Sequence, residues 1–309
     1  MPTKRIHTLR TRTDTLKFDA GTGRLVSFRS AAAPEQEFIA SSPEHPVCAI
    51  QWLDEQRQSR WMDSHSARRI RVRCAKSGKG QRLTIECIGL GGLDIDLVGT
   101  VTVSPDDPMS RWTCALTNRA GVDVVDVQFP FVVAKYQLGG KAGSETIVMP
   151  QSFGHLIREP TLQKLGPDGL ACWDFAPRGG YAGWNHYPGV YFAQFMAYYN
   201  DRAGLYLAMD DTAGNVKRFK PLHREPGIRF GIAHVGDWPR RGRRALGYDV
   251  LLGSFTGDWW DAAGIYREWS LRQKWAVRVE TGAARAEITA VSWDTEGTGR
   301  EKISLLRPK

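Results

Sequence analysis

The sequence predicts a mainly β, antiparallel, sandwich-like protein with one helix near its C-terminal end. Three observations carry that expectation. Short segments rich in β-branched and aromatic residues recur along the chain, many separated by Gly, Pro, Asn, Asp or Ser. Several alternate at period two, as strands with one buried and one wet face do. One late stretch alone repeats its apolar residues at three- and four-residue steps.

Taken in order, strands are expected at Thr15–Phe18, Leu25–Phe28, Cys48–Trp52, Ile70–Cys74, Leu83–Ile88, Ile95–Val103, Ser110–Thr117, Val122–Val133 and Ile147–Met149. In Arg82–Ile88 the alternation puts Leu83, Ile85 and Cys87 on one face and Arg82, Thr84 and Glu86 on the other. Lys17–Phe28 reads as a hairpin whose turn uses Gly21 and Gly23. A second hairpin is expected from Gly204–Met209 to Val216–Lys220, joined by the turn residues Asp210–Asn215. The run Val190–Tyr199 suits a central strand. Residues 257–275 read as the helix, with Thr256 as cap and Asp258 and Asp261 in the first turn. Trp259, Ala262, Ala263, Tyr266 and Trp269 form its apolar stripe, which must pack on the sandwich or on a further domain. After Trp275 no strong period remains, so 276–309 is read as a tail, with one edge strand around Ala286–Trp293 or none.

Composition narrows the function. Apolar residues make up 42% of the 309 and charged residues 24%, enough core and too mixed a charge for wholesale disorder. The net charge is +9, from 42 Lys+Arg against 33 Asp+Glu. The arginines lie in short clusters, at Arg68, Arg69, Arg71 and Arg73 and again at Arg240, Arg241, Arg243 and Arg244, with no basic tail or helix face joining them. Solvated basic faces, not nucleic-acid binding, are therefore expected. No stretch has the ~20 apolar residues of a bilayer span, so no membrane role is expected. The basic start lacks the apolar run of a secretory signal, which predicts a cytoplasmic protein; a misassigned start codon would give the same appearance. Five scattered cysteines form no CxxC pair and no histidine sits at metal-ligand spacing from them, so buried thiols, no metal and no cofactor are expected.

The segment Ala171–Asn200 crowds ten aromatic residues together. Rings with polar tips stack on the apolar faces of sugars, and the same rings fill the space between two sheets. For Tyr191–Tyr199 core filling is the expected role. Trp173, Trp184 and Tyr187, in the Gly-rich half, are the candidate carbohydrate-binding residues. There is no GxSxG elbow, no HExxH and no phosphate-cradling Gly loop. His186, inside the aromatic loop, is the one candidate catalytic histidine. Trp259, Ala263 and Tyr266 are candidates for docking a partner.

A resemblance rests on the order of several short motifs. They are Tyr187-Pro-Gly189, Gln194-Phe-Met-Ala-Tyr-Tyr199, Gly204-Leu-Tyr-Leu207 with Asp211 and Lys217-Arg-Phe219, and Phe255-Thr-Gly-Asp-Trp-Trp-Asp-Ala-Ala-Gly-Ile-Tyr-Arg-Glu-Trp269 ending in Gln273-Lys-Trp275. Over roughly residues 12–275 the chain resembles the N-terminal galactose-mutarotase-like β-supersandwich of large glycoside hydrolases, similar to endo-α-N-acetylgalactosaminidases and α-galactosidases. The resemblance implies a two-layer antiparallel supersandwich with one helix, residues 1–275, and a helix that leads into a catalytic (β/α)₈ barrel. Such a barrel needs about 250 residues, and 34 follow Trp275. The expectation is a noncatalytic, carbohydrate-associated module in truncated or stand-alone form, with a galactose-type sugar or a barrel-bearing protein as partner. Two other readings stay open. One is a glycoside hydrolase or sugar epimerase using His186 and an Asp on the concave face; the other is a protein-interaction scaffold built on the Trp259 helix.

Overall fold

The computed structural model describes residues 5–141, 143–151, 154–160, 165–166, 169–170, 186–224, 226–276, 290–292 and 302–304. They fall into two compact units, divided between Arg267 and Glu268. The first is built on two large antiparallel sheets. One runs, strand by strand, His155–Arg158, Thr146–Met149, Phe195–Tyr199, Gly204–Asp210, Asp249–Phe255, Ser110–Asn118, Ile95–Val103, Gly80–Ile88 and Arg69–Ser77, with Gly242–Ala245 also paired to Ser110–Asn118. The other runs His186–Tyr187, Lys217–Arg224, Gly227–Val235, Asp123–Gln128, Ala49–Leu53 and Ser59–Asp63, with Val133–Lys135 also paired to Gly227–Val235. A third, small sheet holds Ile6–Arg10, Asp14–Asp19 and Leu25–Ser30.

One apolar core joins these sheets. Leu83, Ile85, Cys87, Leu97 and Cys114 of the ten-stranded sheet and Ile50, Val127, Phe219 and Ile232 of the seven-stranded sheet are buried in it. Trp112 and Phe129 meet across the layers with ring centroids 5.8 Å apart. The layers approach so closely at Gly99 that a Cβ there would lie 2.5 Å from the Phe129 ring. The expected alternation holds: Leu83, Ile85 and Cys87 are buried, while Arg82, Thr84 and Glu86 are not. Among the described cysteines, Cys48, Cys87 and Cys114 are buried and Cys74 is half-buried, all as free thiols.

Four local expectations are corrected. The hairpin from Gly204–Met209 to Val216–Lys220 does not form. Gly204–Asp210 pairs with Phe195–Tyr199 and Asp249–Phe255, whereas Lys217–Arg224 pairs with Gly227–Val235 in the other sheet. The turn residues between them cross from one layer to the other. The run Val122–Val133 breaks into Asp123–Gln128 and Val133–Lys135 around Pro130, which has no N–H for the ladder. Within Val190–Tyr199 only Phe195–Tyr199 is a strand; Tyr191 makes an isolated bridge to Gln151. Tyr191, Phe195 and Tyr198 are core residues as expected, but Phe192 is exposed.

The helix α1 spans Trp259–Ser270, shorter than the expected 257–275. Asp258, not Thr256, caps it: its Oδ1 accepts the Trp260 N–H at 2.8 Å. Ala262 is fully buried, and Tyr266 stacks on Phe195 at 5.4 Å, so this part of the stripe serves the ten-stranded sheet. In the second unit, Trp269 and Trp275 lie edge to face at 6.0 Å. Ala290–Ser292 pairs with Lys302–Ser304 in a two-stranded sheet of its own, placing a strand within the expected 286–293.

The small sheet is tied to Asp249–Phe255 by a buried carboxyl. Asp14 accepts hydrogen bonds from the Ser254 N–H at 3.1 Å and from the Ser254 hydroxyl. Burial pushes this carboxyl up from 3.8 to about 6, against the lowering effect of the Ser254 and Thr13 hydrogen bonds. A carboxyl raised in the folded state contributes stability that is complete below its unfolded value and is lost as pH rises through about 6. Asp14→Asn should therefore gain stability relative to the wild type as pH rises from about 4 to 7. Thermal unfolding across that range checks this; a wild-type-minus-variant difference independent of pH would refute it.

Candidate functional site

Strand alternation divides the polar side chains of the seven-stranded sheet between two faces. Directly paired residues of antiparallel strands share a face. Lys217 pairs with Tyr187 and His234, and His234 with Val127, so these face the core. Arg218 pairs with His186 and Ala233, and Ala233 with Gln128; Asp126 pairs with Gln51, and Gln51 with Trp61. These side chains share the outer face.

On that outer face the side chains form one hydrogen-bonded chain. Gln51 donates from Nε2 to Ser59 Oγ at 2.7 Å and accepts from Arg218 Nη2 at 3.4 Å. Arg218 is ion-paired with Asp126. Gln128 Nε2 donates to Asp126 Oδ1 at 3.3 Å, and Gln128 accepts from Arg229. The Arg229 guanidinium lies 4.6 Å from the centroid of the Phe131 ring. Gln51, Asp126, Gln128 and Arg218 are buried, a polar floor in the middle of the sheet. Around them His186, Arg229 and Phe131 are half-buried, and Trp61 is 53% exposed. The buried groups are spent on one another, and the groups on this face that solvent reaches are Arg229, His186, Phe131 and Trp61, side chains of the kinds that hold a polyhydroxylated ligand by hydrogen bonding and ring contact.

On the inner face a second network anchors the layer crossing. The Lys217 ammonium is fully buried, ion-paired with Asp211, and donates to Gln194 Oε1 at 2.7 Å. It lies 4.9 Å from the Tyr187 ring centroid and 4.7 Å from that of Tyr248. Asp211 also accepts from the N–H of Ala213 at 3.0 Å, the N–H of Asn215 at 2.7 Å and Asn215 Nδ2 at 2.9 Å. The turn chemistry read from the sequence is therefore present, and the same carboxylate holds the lysine. Burial pushes Lys217 down to about 8, against the pull of Asp211. Burial also acts to raise Asp211, but the Lys217 hydrogen bond and charge outweigh it, with Asn215 and Ala213, and hold it below the usual carboxylate range. His234 is pushed down to about 4, first by burial; it pairs with the Tyr248 hydroxyl and the Phe129 carbonyl, each at 2.7 Å.

The described candidates do not gather at one place: His186 and Tyr187 lie in the seven-stranded sheet and Trp259, Ala263 and Tyr266 on α1. Trp173 and Trp184 lie outside the described residues. Tyr187 is half-buried on the core face, where burial, and next the Asp211 charge, raise its hydroxyl against a hydrogen bond with Gln194. His186, its neighbour, faces the other way, onto the polar floor's side. At α1, Trp259 is 41% exposed and Trp260 70%, while Ala263 and Tyr266 are half-buried. Sequence reading missed Asp126, Arg218, Gln51, Gln128 and Trp61. One signal was available: Asp126 and Gln128 flank Val127 in the strand Asp123–Gln128, and both are buried polar residues. Among the described residues no group of three or more His, Cys, Asp or Glu is placed to hold a metal ion. No described helix is long and apolar enough to cross a membrane.

No family model matches the chain, and no curated protein matches it. Solved structures do. The α-N-acetylgalactosaminidase NagBb from Bifidobacterium bifidum, as a quadruple mutant, is 15% identical with a TM-score of 0.58, over 85% of this chain and 38% of that one. The same protein in its GalNAc complex is 14% identical with a TM-score of 0.58 over the same shares. A TPR-domain containing protein from Parabacteroides distasonis ATCC 8503 is 7% identical with a TM-score of 0.50, over 91% of this chain and 50% of that one. The chain spans well under half the length of NagBb. At such identities the likeness is one of fold, and the fold is the mainly β, antiparallel two-sheet sandwich with one helix that the sequence predicts, shared with part of NagBb.

Proposed function

We propose that this chain is a noncatalytic carbohydrate-associated module that takes a galactose-type sugar on the outer face of its seven-stranded sheet. The observation that carries the reading is the buried Gln51–Arg218–Asp126–Gln128 floor, a costly set of polar groups that an apolar strand pair would otherwise replace. The fold shared with part of an N-acetylgalactosaminidase supports the choice of sugar.

The test is calorimetric titration with galactose, N-acetylgalactosamine and glucose, run beside a hydrolysis assay on p-nitrophenyl α-N-acetylgalactosaminide. Saturable binding of a galactose-type sugar without turnover is the expected result. Turnover that His186→Ala abolishes would replace this reading with the enzymatic one. Absence of binding to every sugar would remove it.

A further inference from the structure

We infer that Arg69–Ser77, a free edge of the ten-stranded sheet, takes an added strand from an acidic protein segment whose residues alternate between Asp or Glu and apolar side chains. Arg69–Ser77 ends the sheet: among the described residues it pairs with Gly80–Ile88 alone. It is nine residues long, where the edge strand Ser59–Asp63 of the other sheet has five. Ser77 and Gly80 close its hairpin across two residues, so they exchange both backbone hydrogen bonds, and every second pair after them does the same. Arg73, Arg71 and Arg69 therefore bond inward. The N–H and C=O groups of Cys74, Val72 and Ile70 point out along the free edge, a ladder that another backbone matches.

The side chains on the two faces of this strand select the partner. Arg69, Arg71 and Arg73 stand on the outer face at alternate positions, about 6.8 Å apart at ~3.4 Å per residue. Arg69 and Arg73 are exposed and have no acidic partner among the described residues, while Arg71 reaches Glu86 at 3.7 Å. Arg82, on the next strand and the same face, is exposed as well. Guanidinium forks at the repeat of a β-strand match carboxylates at that same repeat. Turned toward the core, Ile70, Val72 and Cys74 are half-buried, whereas Leu83, Ile85 and Cys87 one strand inward are fully buried. Apolar residues between the acids of an added strand cover that rim. A second copy of this edge does not fit, because any pairing that keeps the apolar side chains on one face sets arginine against arginine. Charge thus closes the edge to self-association and leaves it open to an acidic strand.

Fluorescence anisotropy of a labelled peptide, Val-Glu-Val-Glu-Val-Glu-Val, titrated with the full chain tests this. The peptide should bind saturably and slow hydrogen exchange at the Ile70, Val72 and Cys74 amides. The same peptide N-methylated at its valines keeps every charge and loses the donors the edge requires, so it should not bind. Arg69→Glu/Arg73→Glu should weaken binding roughly tenfold or more, since it sets like charges opposite one another. Both arginines are exposed, so the variant should keep the wild-type melting temperature. Arg10→Glu/Arg12→Glu, two exposed arginines of the small sheet, makes the same change in net charge and should leave peptide binding intact. Equal loss in the two double variants would mean attraction to overall charge and would overturn the inference. Equal binding of the N-methylated peptide would overturn it too, because the face would then be a surface for anionic polymers and not a strand acceptor. No binding of the unmodified peptide would remove it outright.

Discussion

Replacing Asp211 by Ala should lower the stability of the sandwich by about 3–5 kcal/mol, the cost of leaving a buried charge without its partner. The ammonium of Lys217 has no water to turn to. Without Asp211 it keeps Gln194 and the faces of Tyr187 and Tyr248, none of which carries a countercharge. The loss is larger than the ion pair alone, because Asp211 also closes the turn at Ala213 and Asn215 that carries the chain between layers. Lys217→Met should cost less, since the carboxylate retains those three donors and a methionine fills the lysine's volume. Urea unfolding of both variants measures this, with the order Asp211→Ala below Lys217→Met below wild type expected. The pH dependence has a definite sign. Asp211 is held low in the folded state, so its contribution is present above its unfolded value of 3.8 and is lost as pH falls through the folded one. Wild type should therefore lose its advantage over Asp211→Ala toward acid pH. A gap that widens on acidification would contradict the assignment.

Arg218→Met should abolish sugar binding and also cost about 3–5 kcal/mol of stability, because it strands the buried Asp126. The two losses separate in the double variant Arg218→Met/Asp126→Leu. Replacing both members of a buried pair with apolar side chains of similar size is often neutral or stabilising. The double variant should regain most of the melting temperature and none of the affinity. Recovery of binding together with stability would mean that the pair is a structural element and that the ligand sits elsewhere. This comparison matters because Arg218 joins Gln51 to Asp126, so its loss loosens the floor as a whole.

Much of the fold is legible one strand at a time. Ile95–Val103 is found at its predicted bounds, because strict alternation in a strand with one wet face leaves little freedom of register. What local pattern could not supply is which strands meet. The turn chemistry at Asp210–Asn215 is real, yet the segments on either side belong to different sheets, and nothing within six residues distinguishes a hairpin from a crossing. The site was hidden for the same reason. Arg218 and Asp126 are 92 positions apart, and each looks ordinary where it stands. Nor could local pattern say which way Tyr187 turns: it and His186 form a two-residue strand, so one faces inward and the other outward. Trp61 was readable in principle from Ser59-Arg-Trp-Met-Asp63, where an aromatic ring alternates with Met62 at an edge.

Crystals of the full chain soaked in N-acetylgalactosamine decide where sugar meets this chain. The sugar should be found on the outer face of the seven-stranded sheet, within hydrogen-bonding distance of Arg229 or His186, the half-buried polar groups there. A sugar bound only against Trp259 and Trp260 on α1, or none at saturating concentration, would overturn the assignment of that face.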